Sequence, residues 1–92
     1  MKHASNIAYE GGLEKLATDL GNLQYDALQT FLIALALKIR HDSAADDAKN
    51  RKLLAKHLGK SADKLLDAAA AIGNSWSLCK IHMKTEVIET ET

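Results

Sequence analysis

With 92 residues the chain makes one small domain at most, and domains of this size often complete their core by association. Twelve basic side chains balance twelve acidic ones, so no global field points to nucleic acid or to an anionic membrane. The single Cys79 excludes an internal disulfide, and residues 1–9 carry no apolar signal run; both are expected of a reducing, cytoplasmic setting.

The longest apolar run, 31–37, is far short of the ~20 residues that span a bilayer, so no membrane role is expected. Proline is absent, Ala, Leu and Lys abound, and aromatics are sparse. That balance of strong helix formers without the strongest breaker predicts an all-α fold.

Residues 1–10 are polar and unpatterned, and read as a flexible leader. Gly11-Gly12 punctuates the start of a helical domain over 11–83. Leu13, Leu16, Ala17, Leu20, Leu23, Ala27, Leu28, Phe31, Leu32 and Leu35 then fall on one broad helical face, which continues to about Arg40. Gly21-Asn22 interrupts the pattern while leaving its phase intact, so the sequence allows either a break or a continuous helix there. Residues 31–37 are apolar around the whole circumference, which calls for cover on more than one side. In so short a chain this predicts several helices packed together, or a second copy.

His41-Asp42-Ser43 is the expected loop. Ser43 reads as the N-cap of the next helix, with Asp46 and Asp47 suited to the positive end of its dipole. From Ala44 towards Met83 a second helical region carries the most regular pattern in the chain. Leu58, Ala62, Leu65, Ala69, Ile72, Trp76, Cys79 and Met83 alternate spacings of four and three, as in the seam of helices that pack lengthwise. Gly59 and Gly73 are possible breaks in it. Residues 84–92 (KTEVIETET) lack a core face and are expected to be a disordered acidic tail.

Two architectures fit. One is a hairpin of two long helices that completes a four-helix bundle as a homodimer; the other is a small bundle of shorter helices broken at the glycines. The in-phase seams favour the hairpin. Its packing residues are expected to be Phe31, Leu35, Leu58, Leu65, Ile72 and Trp76. Arg51 lies near the apolar side and should be paired with an acid near the end of a partner helix.

Chemistry is harder to find. Lys49, Lys52, Lys56, Lys60 and Lys64 form one basic stripe, read first as the solvated back of an amphipathic helix. Within it, LAKHLGKSADKL (residues 54–65) resembles a helix-turn-helix motif, with Ala55 at the helix crossing, Gly59 in the turn and Ser61 as the next cap. This resemblance implies a DNA-binding alternative over residues 51–72, with Lys56, Lys60 and Lys64 on phosphates. Lys60 after the turn glycine, and Asp63 and Asp67 on the side facing the groove, weigh against it.

Gly59-Lys60-Ser61 lacks the upstream glycine of a phosphate loop, its position being Leu54. Cys79 and His82, three apart, supply only half of a zinc site, and no histidine follows a glutamate by three as in di-iron bundles. Ser75 and Ser77 have no neighbouring base, and His3, His41 and His57 have no nucleophile to serve. No cofactor or metal is therefore expected. The chain reads as a non-enzymatic module that self-associates or binds a helical protein partner.

Overall fold

Among the described residues three α-helices follow one another: α1 Gly12–Gly21, α2 Tyr25–Ala48 and α3 Lys52–Glu91. The computed structural model describes residues 3–91, with side chains for 3–81, and contains no strand among them. The all-α expectation holds. The separate tail expected at 84–92 lies outside the residues whose side chains are described.

α1 begins where Gly11 and Gly12 take φ of +95° and +72°, a left-handed turn that side chains resist. At its other end the Asn22 N–H turns back to the carbonyls of Thr18 (3.0 Å) and Asp19 (3.3 Å). Gln24, with φ −54° and ψ 145°, then resets the chain into α2. The Gly21-Asn22 interruption is thus a real break, although Gly21 itself is not left-handed.

The turn between the long helices is not at 41–43. α2 runs straight through those residues to Ala48, so Ser43 is no cap. The reversal comes at residues 49–51, where Asn50 adopts φ +63°. The Arg51 N–H donates to the Asp46 carbonyl (2.8 Å) and the Asn50 N–H to that of Asp47 (3.0 Å). This pair of bonds is the Schellman closure, with asparagine in the left-handed seat usually taken by glycine.

Asp46 and Asp47 therefore sit at the negative end of a dipole, where acids are disfavoured. Cations from across the turn offset this: Arg51 Nη1 lies 3.1 Å from Asp46 and Lys52 Nζ 2.8 Å from Asp47. The acid expected for Arg51 is thus Asp46, only 15% exposed at its side chain, at the end of the neighbouring helix.

α2 and α3 lie antiparallel, and theirs is the extensive helix-to-helix contact among the described residues; α1 touches the pair lightly. The buried centre is built from Ala36, Ala55, Ala62 and Ala69, with Ala62 wholly enclosed. The last three recur every seven residues, two helical turns apart, and their small size lets the two backbones approach closely. Gly59 and Gly73 extend the same stripe. A Cβ on Gly59 would stand 3.6 Å from Ser43 Oγ, while the Gln29 amide already fills the space beside Gly73. Ser43 Oγ uses the close approach to donate to the Ala55 carbonyl at 2.6 Å, and Arg40 Nη2 reaches Asp63 at 2.6 Å nearby.

The described chain measures 64 × 29 × 13 Å. Its length is that of α3, whose 40 residues rise about 60 Å. Its thinnest dimension, 13 Å, is little more than the width of one helix with its side chains, so the protein is flat. Among the residues whose side chains are described, no large one is fully buried.

A half-covered apolar face as the candidate site

The geometry of α2 and α3 decides where their large side chains go. Alanine and glycine occupy the line of contact, so bulkier residues one step round each helix are pushed to its shoulders. Because the helices are antiparallel, the shoulder carrying Leu28, Phe31, Leu35 and Ile39 on α2 lies on the same side of the slab as that carrying Leu54, Leu58, Leu65, Ile72 and Trp76 on α3.

None of these residues is buried. Phe31 and Leu35 are each 37% exposed, Leu54 is exposed, and Leu28, Ile39, Leu58, Leu65, Ile72 and Trp76 are half-buried. The six packing residues named from the sequence fall, by helical register, on one side of the hairpin, and none of them is enclosed between its helices. Ile39 belongs to it as well; its place four residues after Leu35, in the same helical register, is the signal that finds it.

The opposite side of the slab differs in kind. It shows Arg40 paired with Asp63, Asp47 paired with Lys52, and Lys56, with Ile33 and Leu37 among them. One side is thus apolar along its length and the other largely ionic.

At one end of the apolar face, Trp76 and Cys79 close a cleft of about 320 Å³ against Leu23, Gln24 and Tyr25 in the α1–α2 turn. Lys80 Nζ stands 5.6 Å from the Trp76 ring centroid, a cation–π distance. At the other end, His3 lies with Asp42, Asp46 and Arg51 around a small hollow. The Lys38 ammonium, 2.6 Å from Asp42, holds that carboxyl below its ordinary range. On α1 a polar clasp joins Tyr9, Asp19 and Lys15. The Tyr9 hydroxyl donates to the Asp19 carboxylate, which raises the phenol's pKa, and Lys15 at 2.5 Å, followed by Tyr9, lowers that of Asp19.

The remaining candidates do not converge. Gly59 is an interior residue of α3, so residues 51–72 do not build the turn that a helix-turn-helix requires. Ser61 Oγ bonds back to the His57 carbonyl (3.1 Å) within the helix and caps nothing. Lys56, Lys60 and Lys64 are exposed along one edge of α3, as a solvated stripe would be. Cys79 is a half-buried free thiol, and His82 lies outside the residues whose side chains are described. Among the described residues, no three His, Cys, Asp or Glu side chains gather as metal ligands. No helix among them is long and apolar enough to cross a membrane.

Set against known proteins, the chain matches no family model, no curated protein and no solved structure.

Proposed function

We propose that the protein is a helical association module that works by docking its apolar face on a partner of helical character, without catalytic chemistry. The observation that carries this reading is the row of large apolar side chains along the hairpin, none of which is buried. A core made only of alanines contributes little hydrophobic stabilisation, because burial scales with apolar area and alanine has little to bury. The larger side chains yield their full 1.5–3 kcal/mol each, in round terms about 2, only when a second surface covers them. Contiguous apolar patches of this extent on soluble chains mark association sites.

Leu65→Asp tests it by placing a carboxylate in the middle of the face, at a cost of several kcal/mol once covered. Light scattering on the parent chain is expected to give a mass above the 10.0 kDa of one copy, or a stable complex with a helical partner. The variant should fall to a single copy or lose the partner, with circular dichroism reporting whether its helices survive. A parent chain that stays single and binds nothing, or a Leu65→Asp variant that associates unchanged, would sink the reading.

A further inference from the structure

Residues 3–25 are seated at both ends of the hairpin's apolar side. Leu23, Gln24 and Tyr25 stand against Trp76 and Cys79 at the open end. His3 stands in the hollow of Asp42, Ala45, Asp46, Lys49 and Arg51 beside the turn. The Asp42 carboxyl, lowered first by Lys38, is lowered also by His3, which marks their nearness. Both seats belong to the apolar row. Trp76 is part of it on α3, and Asp42 and Asp46 follow Leu35 and Ile39 by seven residues each, two turns on in the same register.

The length of chain between the seats fixes its path. From Tyr25 to Asp42 or Asp46, α2 rises about 26–32 Å. Going back from Tyr25, α1 supplies about 15 Å, and residues 3–11 reach at most ~30 Å when fully extended. Part of that reach is spent in a turn, where the Gly12 N–H donates to the Tyr9 carbonyl at 2.8 Å and the Tyr9 hydroxyl is held by Asp19. With so little slack, α1 runs back antiparallel to α2, past the stretch that carries Leu28, Phe31 and Leu35.

α1 also has an apolar side to offer. Leu13, Leu16 and Leu20 recur at spacings of three and four; Leu16 and Leu20 are half-buried, while Leu13 stays 58% exposed. Its contact with the hairpin is light.

We propose that residues 3–25 are a releasable strap, in which α1 shields part of the apolar row from within the chain until a docking partner displaces it. This rests on the association reading above and adds how the same face is regulated. The strap pivots where its helix stops, at the left-handed Gly11-Gly12 turn and at the Asn22–Gln24 link. A partner reaches the row only in molecules whose strap is off, so the apparent dissociation constant is the intrinsic one divided by that fraction. Light contact keeps displacement cheap; an α1 packed tightly enough to bury Leu13 with Leu16 and Leu20 would shut the row.

A lock and a release test this on the full chain. In a Cys79→Ala background, His3→Cys with Ala45→Cys puts two thiols in one hollow, where a disulfide holds the strap shut. Leu16→Asp with Leu20→Asp instead removes the strap's apolar side. Anilinonaphthalene sulfonate fluorescence reads uncovered apolar surface, and light scattering reads self-association. Dye binding should fall in the oxidised lock, return on reduction and rise several-fold in the release variant. Self-association should be lost in the lock and tighten in the release variant by about tenfold, the factor withheld by a strap closed nine-tenths of the time. A disulfide that does not form under oxidant, equal dye binding in oxidised and reduced lock, or weaker self-association on release each overturns the strap. If circular dichroism shows the release variant unfolded, the lock decides alone. A chain that stays single in every form while the dye responds keeps the strap and removes self-association from the reading.

Discussion

Gly59 is where the helical hairpin and any turn-containing alternative make opposite predictions. In the structure Gly59 is interior to α3, its φ lies outside the left-handed region, and a Cβ there would meet Ser43 Oγ at 3.6 Å, an ordinary van der Waals distance. Gly59→Ala therefore adds no clash and removes the entropic cost of glycine inside a helix, a gain of about 0.8–1.0 kcal/mol. For a domain of this size that corresponds to a rise in Tm of roughly 4–8 °C, read by circular dichroism at fixed protein concentration, since association would itself shift the midpoint.

Gly73→Ala is the internal control. It has the same propensity gain, but its new Cβ must displace the Gln29 side chain, whose Cδ would lie only 3.1 Å away. An off-rotamer Gln29 costs about 0.5–1.5 kcal/mol, so the single variant should be near neutral. With Gln29→Ala as background, Gly73→Ala should recover the full gain. A fall in Tm for Gly59→Ala would refute the continuous helix, because a left-handed seat penalises alanine by about 1–2 kcal/mol. It would return residues 54–65 to the standing of a turn.

Other consequences are as specific. Asn50→Ala places a Cβ-bearing residue without a local polar partner in the left-handed position and should cost about 1 kcal/mol in urea melts, whereas Asn50→Gly should be neutral or better. Ser43→Ala removes the bond to the Ala55 carbonyl and should cost about 0.5–1.5 kcal/mol; no loss at all would mean that the two backbones are not held together there. The Tyr9–Asp19–Lys15 clasp should stabilise the α1 region only within a pH window. Asp19, lowered from 3.8, contributes fully above that value and loses its contribution as pH falls through the lowered pKa. Tyr9, raised from 10.0, contributes fully below that value and loses it as pH rises through the raised one. Amide exchange across α1 at pH 3, 7 and 11 checks this, and equal protection at all three would dispose of the clasp.

Residue spacing alone shows that the chain is helical, that long in-phase stripes run along it, and that Gly11-Gly12 starts the first helix; it leaves open whether Gly21-Asn22 ends that helix. These follow from residue spacing and local backbone preference, which act over one or two turns. It also foretold that Arg51 needs an acid near a helix end, because an unpaired charge beside apolar surface is costly wherever the chain goes. Phe31, Leu35, Leu58, Leu65, Ile72 and Trp76 were legible as apolar stripe residues from their helical spacing.

Which part of the stripe touches the neighbouring helix is settled by packing across the hairpin. Periodicity weights residues by hydropathy and so centres the seam on leucines. Close helix packing selects instead for small volume, and places Ala55, Ala62, Ala69 and the glycines at the contact while the leucines turn outward. The turn was misplaced for a related reason. Ser43 beside Asp46 has the local signature of a cap, but its hydroxyl is spent across the hairpin on Ala55. The true reversal depends on Asn50 accepting a left-handed backbone, a conformation that asparagine tolerates but does not announce. A hydrogen bond between residues twelve apart in sequence outweighs a cap that local spacing suggests, because the fold satisfies polar groups wherever their partners come to lie.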